Sequence, residues 1–325
     1  MAETGAPPGL PDLAAIREAQ RRIAGFVHHT PVLTSASIDA EIGASLHFKA
    51  EHLQKIGAFK ARGACNAVFS LDDGEAARGV VTHSSGNHGA ALAYAASRRG
   101  IPAWVVMPEN APAIKQANVR RFGAAVRLCA PTVAAREAAC VEVARESGAT
   151  LIHPFDDSRV IAGQGTVALE LIAEVAGLDA VIAPCGGGGL LSGTAIAVGA
   201  AAAGIRVFGA EPANADDAAR SFASGRVEAL APTVTMADGL RTTLSPRTLA
   251  ALRAGVEAIV TCSEEAIVVA MRMLFERMKQ VVEPSGAVPL ACLLEHRARF
   301  AGMRVGVVIS GGNVGLDALP WRQHA

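Results

Sequence analysis

The sequence predicts an α/β protein whose parallel or mixed sheets are covered by helices on both faces. Strand-like and helix-like segments alternate along most of the 325 residues, and repeated βαβ units form parallel sheets with right-handed crossovers. The composition is 51% hydrophobic and includes 33 glycines, as expected for strands that are buried on both faces. A chain of this length forms one large domain or two closely packed ones.

The alternation can be followed along the chain. A helix over residues 89–99, for example, follows the first strand through a glycine turn. The predicted strands cover residues 79–83, 102–107, 125–128, 150–153, 180–185, 206–209 and 305–309. We expect residues 71–150 to form a small mobile domain with its own sheet, and residues 1–70 and 151–325 to form the larger domain.

Charge and apolar patterning exclude several classes of partner. Thirty basic and thirty acidic side chains give a net charge of +0, so neither nucleic acid nor an anionic membrane surface is expected as a partner. The longest apolar stretch, residues 190–203, is too short to span a bilayer. Residues 1–8 lack the pattern of a secretory signal, and the six cysteines contain no CxxC pair. We therefore expect a cytoplasmic protein with reduced thiols.

Four consecutive glycines, Gly186, Gly187, Gly188 and Gly189, connect an apolar strand to an apolar helix that begins near Leu190. Without Cβ atoms, their backbone N–H groups can close around an anion, and the helix N-terminus adds partial positive charge. The spacing fits neither a dinucleotide site nor a P-loop. A monophosphate is the better ligand, and pyridoxal phosphate (PLP) is the commonest one that bonds to a protein lysine. The alternative is a tight crossover in which glycine serves packing alone.

A lysine that bonds to PLP must reach the aldehyde carbon of the cofactor. Lys60 lies between apolar residues at the start of a predicted helix, where burial would lower its pKa towards the neutral amine that the bond requires. The alternative is an ordinary lysine at a helix start. Two further glycine turns, residues 84–89 and 310–313, each close a strand, which is where α/β sheets bind their ligands.

Five motifs occur in the order found in one known family. They are GAFKARGA at 57–64, SSGNHG at 84–89, GGGGLLSG at 186–193, EPANADD at 211–217 and SGGN at 310–313. Together they resemble the serine racemase and serine/threonine dehydratase family of fold type II PLP enzymes, which have the tryptophan synthase β-like fold. The resemblance implies a two-domain PLP enzyme that acts as an ammonia-lyase on a 3-hydroxy amino acid, and a homodimer.

The resemblance also implies roles around the cofactor. Lys60 would bond to PLP and then act as the base on one face of the substrate Cα, with Phe59 packed beside the cofactor and Asn87 donating to its phenolic oxygen. The four glycines and Leu190 would bind the phosphate. Ser310 would face the pyridine nitrogen, and a neutral hydroxyl there favours loss of a β-substituent.

Five residues are implied to bind the substrate: Ser84, Ser85, Asn87, His88 and Arg136. Ser85 is also implied as a second catalytic residue, because racemising members of the family use a serine here on the face opposite Lys60. The serine permits racemisation without requiring it, since the same hydroxyl can simply hold the substrate carboxylate. Outside the resemblance, Arg136 is a helix-surface arginine.

Glu211, Asp217 and the carbonyl of Ala215 match a divalent-cation site of the family. Hard oxygen ligands of this kind suit Mg²⁺ or Ca²⁺, and we expect a structural ion. The alternative is a solvated acidic turn after a strand. The remaining histidines, His153 among them, show no ligand spacing and are expected to be structural.

Two departures from the family pattern leave the substrate open. Residues 56–60 read IGAFK, whereas the family usually has TGSFK, and this variant resembles members that act on 3-hydroxyaspartate. Phe155 replaces a polar residue of animal serine racemases. The alternatives to a serine/threonine dehydratase are thus a 3-hydroxyaspartate dehydratase, with Arg241 as a candidate contact for the second carboxylate, and an amino-acid racemase. A non-catalytic PLP-binding or phosphometabolite-binding protein is a further alternative, against which the intact Lys60 and Ser85 argue.

Overall fold

The computed structural model describes residues 9–84, 86–111, 113–231 and 234–321. The strands are β1 (Val32–Leu33), β2 (Ser45–Ala50), β3 (Val80–His83), β4 (Ala103–Pro108), β5 (Ala125–Cys129), β6 (Thr150–Leu151), β7 (Ala180–Pro184), β8 (Arg206–Pro212), β9 (Ala258–Cys262) and β10 (Arg304–Ile309). The helices are α1 (Leu13–Ile23), α2 (Ala36–Ile42), α3 (Lys60–Phe69), α4 (Asp73–Arg78), α5 (Asn87–Arg99), α6 (Ala113–Arg120), α7 (Val133–Ser147), α8 (Ser158–Glu174), α9 (Gly189–Ala201), α10 (Asp217–Ser224), α11 (Pro246–Gly255), α12 (Glu264–Met278), α13 (Pro284–Glu295) and α14 (Arg297–Phe300).

The strands form two sheets. A six-stranded sheet has the order β1-β2-β10-β7-β8-β9, and a four-stranded sheet has the order β5-β4-β3-β6. Neighbouring strands are parallel except for β1, which pairs antiparallel with β2. The α/β fold class with mixed sheets is confirmed, and each predicted strand overlaps an observed one. The sequence did not predict β1, β2 and β9.

Both faces of the six-stranded sheet are covered. Along β7, Ala180 and Ile182 point into an apolar core that includes residues of α12 and α13. The intervening Val181 and Ala183 point into a second core, which includes residues of α8 and α9. This alternation follows from the two-residue period of a strand, and it explains why the strand is apolar at every position.

The four-stranded sheet lies within the segment predicted to be a small domain, with β6 at its border. Its core also takes in residues from outside that segment, including Ile23 of α1, Val68 of α3 and Val160 of α8. The division into a large domain and a separately moving small one stays a prediction. In the part of the chain that the structure describes, no helix has both the length and the apolar character to cross a membrane.

Candidate active site

Lys60 is the first residue of α3, and it is mostly buried. Its Nζ donates a hydrogen bond to the carbonyl oxygen of Pro154 at 2.8 Å and lies 5.1 Å from the centre of the Phe59 ring. Burial lowers the pKa of Lys60 from 10.5 to about 8, because the ammonium group is poorly solvated there. An appreciable fraction of the amine is therefore neutral near physiological pH, as a nucleophile or a base requires.

Backbone hydrogen bonds join the segment before Lys60 to the turn after β10. The backbone N–H of Phe59 donates to the carbonyl of Ser310 at 3.0 Å, and that of Gly312 donates to Gly57 at 2.9 Å. Gly57 has a φ of +73°, and a Cβ there would lie 2.6 Å from Oδ1 of Asn313. Glycine is thus required at this close approach, and the contacts place the buried Ser310 next to the lysine segment.

The glycine run at residues 186–189 joins the end of β7 to the start of α9. A Cβ at Gly187 would lie 2.4 Å from the Phe155 ring, and one at Gly188 would lie 2.8 Å from Leu244. Packing alone therefore demands glycine at these positions. However, Gly188 caps α9 without a side-chain hydrogen bond, and within the described residues no backbone acceptor is recorded for the N–H groups of this run. An uncapped helix N-terminus with open N–H groups fits a phosphate.

Among the described residues, no side chain caps the N-terminus of α5. Its cap, Gly86, forms no side-chain capping bond, while Oγ of Ser84 accepts from the N–H of Gly86 at 3.2 Å. Asn87 is the first helical residue, and its side chain is hydrogen-bonded to Glu283 and to Asn313. Ser85 lies outside the described residues. The start of α5 thus offers backbone donors to an anion.

The ring of His88 has no donor left for a substrate. It is 3% exposed, and its Nε2 donates to the carbonyl of Ile152 at 3.3 Å. Burial lowers its pKa well below 6.5, with a smaller contribution from the charge of Lys60. A neutral ring that donates through Nε2 has only an acceptor at Nδ1. A contact between residue 88 and a substrate carboxylate would therefore come from the backbone N–H.

His153 lies beside the site, where the sequence predicted only a structural histidine. Its ring packs edge-on against His83, with the ring centres 5.4 Å apart, and its Nδ1 accepts from the N–H of Asp156 at 2.9 Å. Burial, together with a smaller contribution from the nearby His83, lowers the pKa of His153 from 6.5 to about 4. Its position just after β6 was the available signal, because ligands of α/β proteins bind at the carboxyl ends of strands.

Two arginines lie near this site. Arg136 of α7 is close enough to His83 for its charge to add to the effect of burial in lowering the pKa of that histidine. Arg241 is exposed and follows Leu240, whose Cα would lie 3.0 Å from a Cβ at Gly186. Arg136 thus lies near His83, and Arg241 lies near the glycine run at residues 186–189.

Glu211 and Asp217 form a buried acidic pair at the end of β8, next to the buried Ala215. The two carboxylate oxygens of Glu211 accept from the N–H groups of Ala218 and Ala219, both at 2.9 Å. Both oxygens of Asp217 are buried without a hydrogen-bond donor from the described residues. Burial raises the pKa of Glu211 to about 8 and that of Asp217 to about 6. Such a carboxylate needs a compensating charge, and a cation would provide it.

A second acidic group already has compensating charges. His29, Glu170 and Glu174 bring potential ligand atoms within 4.8 Å of one another. However, Nζ of Lys49 lies 2.8 Å from both carboxylates, and Arg62 binds Glu170 at 2.7 Å. These glutamates therefore belong to a structural ion cluster rather than to a metal site.

The chain is similar to known proteins in both sequence and structure. Residues 23–311 match the family described as "Pyridoxal-phosphate dependent enzyme". A serine racemase of Oryza sativa subsp. indica is 50% identical, over 95% of this chain and 92% of the relative. A beta-hydroxyaspartate dehydratase of Paracoccus denitrificans is 48% identical, over 96% and 99% respectively. The solved structure of maize serine racemase superposes with a TM-score of 0.93 at 48% identity, covering 96% of both chains.

Proposed function

Because the chain belongs to the pyridoxal-phosphate-dependent enzyme family, we propose that it eliminates the β-hydroxyl group of a 3-hydroxy amino acid to give a 2-keto acid and ammonia. The observation that carries this proposal is the Lys60 amine, which is mostly buried and has its pKa lowered to about 8. It lies among three strand ends that bear an open glycine run, an uncapped helix and a buried serine.

The residues present fit the cofactor. The N–H groups of residues 186–189 and the start of α9 would hold its phosphate, Asn87 would donate to the phenolic oxygen, and Ser310 would face the pyridine nitrogen. When bound, PLP supplies the aldehyde that bonds to the substrate amine and a ring that accepts the electron pair of the Cα–H bond. A neutral serine hydroxyl, unlike a carboxylate, does not hold a proton on that nitrogen, which favours elimination.

The chain's own groups account for binding and proton transfer. The N–H groups at the start of α5 and the hydroxyl of Ser84 would bind the substrate carboxylate and so orient the Cα–H bond towards Lys60. The neutral Lys60 amine takes the Cα proton and becomes an ammonium group, which returns this proton to the departing β-hydroxyl so that it leaves as water. The released enamine takes up one water and loses ammonia, giving the keto acid. General-base catalysis of this kind contributes about 10²- to 10⁴-fold to the rate.

A specific observation favours 3-hydroxyaspartate as the substrate within this class. Ala58 is fully buried and pairs with Gly311 through a backbone bridge. The family usually has a serine at this position, so this part of the site lacks its hydroxyl. Cationic Arg136 and Arg241 lie near the site, which suits a second substrate carboxylate. The 48% identity to a beta-hydroxyaspartate dehydratase supports the same choice.

Racemisation is a second candidate activity. It is supported by Ser85 of the SSGNHG motif, because racemising members of the resembled family carry a serine at this position, and by the 50% identity to a serine racemase. Ser85→Ala should remove racemisation while elimination from the preferred substrate continues. Equal loss of both activities would assign Ser85 to substrate binding alone.

The test of the lyase proposal is keto-acid release from the purified holoenzyme with L-serine, D-serine, L-threonine and the stereoisomers of 3-hydroxyaspartate. Lys60→Met should abolish turnover together with the visible absorbance of lysine-bound PLP, whereas Lys55→Met, a charge removal in the same loop, should preserve both. Faster turnover of a hydroxyaspartate isomer than of serine would establish the substrate, and Arg241→Ala should then raise KM for hydroxyaspartate far more than for serine. Full activity of Lys60→Met would refute the proposal.

We also propose a structural Mg²⁺ or Ca²⁺ ion between Glu211, Asp217 and the carbonyl of Ala215. The support is the unpaired buried carboxylate of Asp217 and the preference of these cations for oxygen ligands. EDTA should lower the Tm of the holoenzyme, and added Mg²⁺ or Ca²⁺ should restore it. Asp217→Asn should make Tm insensitive to both treatments, and a metal response that survives in this variant would place the ion elsewhere.

A homodimer is the assembly that the family resemblance implies, and we propose it for this chain. Light scattering coupled to gel filtration would give twice the chain mass of 33.2 kDa if this is right. A mass of one chain at micromolar concentration would exclude it.

A further inference from the structure

Asn313 lies where three separate parts of the chain meet beside the expected cofactor. Its Nδ2 donates one hydrogen bond to the carbonyl of Ile56 at 2.8 Å and a second to Oδ1 of Asn87 at 2.9 Å. Asn313 itself follows β10, Ile56 belongs to the loop before Lys60, and Asn87 begins α5. Both hydrogens of the amide are therefore used to join two segments that the resemblance places on the cofactor.

The first contact holds an unfavourable backbone conformation. Ile56 has φ 60° and ψ 8°, in the left-handed region that a β-branched residue rarely adopts. Asn313 binds its carbonyl, and the Oδ1 of Asn313 lies so close to Gly57 that a Cβ there would come within 2.6 Å. A conformation of this kind persists only where neighbouring groups impose it. The Asn313 side chain is one such group, and Lys60 follows only four residues after Ile56.

The second contact fixes the orientation of the Asn87 amide. Nδ2 of Asn87 donates to Oε1 of Glu283 at 2.9 Å, while its Oδ1 accepts from Asn313. If the amide were rotated by half a turn, its oxygen would face a carboxylate, which only accepts when ionised. Asn313 and Glu283 thus select one orientation together. In that orientation a single N–H of Asn87 remains for another acceptor.

We propose that Asn313 is a positioning residue for the cofactor. It orients Asn87 so that the remaining N–H serves the phenolic oxygen of PLP, and it holds the backbone before Lys60 in its left-handed turn. The proposal rests on the proposed function, because it assumes that PLP bonds to Lys60. It assigns Asn313 no contact with substrate.

The test is the pH titration of the visible absorbance of holoenzyme, together with the rate at which PLP is lost on dialysis. In Asn313→Ala the titration should move to higher pH, because a phenolic oxygen without its donor holds a proton more tightly. PLP loss should be about tenfold faster, which is the scale of one hydrogen bond. Asn118→Ala, which removes an exposed asparagine of α6, should change neither quantity.

Two double variants separate positioning from general stabilisation. If Asn313 acts through Asn87, the titration of Asn87→Ala/Asn313→Ala should match that of Asn87→Ala alone. Ile56→Gly accommodates positive φ, so Ile56→Gly/Asn313→Ala should regain folding stability while keeping the shifted titration. The Ile56→Gly/Asn313→Ala variant also allows the titration to be measured if Asn313→Ala alone folds poorly.

An unshifted titration in an Asn313→Ala protein that retains PLP would overturn the inference, as would shifts of Asn87→Ala and Asn313→Ala that simply add. Failure of the wild-type protein to bond PLP at Lys60 would instead refute the proposed function. The two failures are therefore distinguishable.

Discussion

Replacing Lys60 by methionine should stabilise the protein in its PLP-free form. The lysine amine is mostly buried, and among the described residues the Pro154 carbonyl is the only hydrogen-bond acceptor that it contacts. At neutral pH the unfolded chain keeps this amine fully charged in water, whereas the folded protein holds the charge in a poorly solvated position. Methionine has a similar length and no charge, so it relieves this penalty without leaving a large cavity.

The magnitude follows from the pKa of Lys60, which falls from 10.5 to about 8 on folding. A pKa difference of about 2.5 at about 1.4 kcal/mol for each unit corresponds to roughly 3 kcal/mol. Because the folded pKa is lower than the unfolded one, the folded state binds fewer protons and gains stability as pH rises. The deficit of wild type relative to Lys60→Met should thus be complete below about pH 8 and should vanish as pH approaches 10.5.

The assay is urea unfolding of the PLP-free proteins between pH 7 and pH 10, followed by circular dichroism. Lys55→Met serves as the control, because it removes another lysine from the segment just before α3. Its stability relative to wild type should not follow the same pH trend. A Lys60→Met protein that is less stable than wild type at pH 7, or a difference that stays constant up to pH 10, would refute the reasoning.

Three further predictions concern other parts of the site. Gly187→Ala should cost about 1–3 kcal/mol of stability through overpacking against the Phe155 ring and weaken PLP binding, as measured by urea unfolding and by PLP fluorescence titration. Because the folded pKa of His153 is about 4 rather than 6.5, folding stability should fall as pH drops through this range, and His153→Gln should remove that share of the acid sensitivity in denaturation curves. Arg62→Met should lower the free energy of unfolding by about 3–5 kcal/mol, because Glu51 and Glu170 lose a buried partner. Urea unfolding would measure this loss.

Much of the fold was predictable because its signals are local. Apolar runs such as residues 180–184 and the glycine turns after them specify strands and their ends without reference to the rest of the chain. Strand β2 was missed because it reads SLHFKA, and a lysine inside it indicates an exposed segment. In the structure Lys49 is fully buried, since Glu170 and Glu174 of α8 compensate its charge. Those partners lie more than a hundred residues away, so no local pattern indicates them.

The candidate site was predictable for the same reason, and its supporting residues were not. Lys60, Ser310 and the glycine run lie in compact motifs at strand ends. By contrast, the role of Glu283 depends on one hydrogen bond to Asn87 across 196 positions of sequence. The low pKa of His153 depends mainly on burial, which only the folded chain creates. A sequence pattern locates the groups that would meet the cofactor, whereas the groups that orient them are placed by tertiary packing.

Three unfavourable features of the protein coincide with places where a ligand is expected. Lys60 has a mostly buried amine, Ile56 has a positive φ just before it, and Asp217 has a buried carboxylate without a donor from the described residues. Each contradicts a local rule of folding, and such conflicts are typical of functional sites. Bonding of Lys60 to PLP would remove the first charge, and a cation would compensate the third. Because ligands that bind only the folded state add to its stability, PLP and the cation should stabilise this protein independently, and their effects on Tm should add.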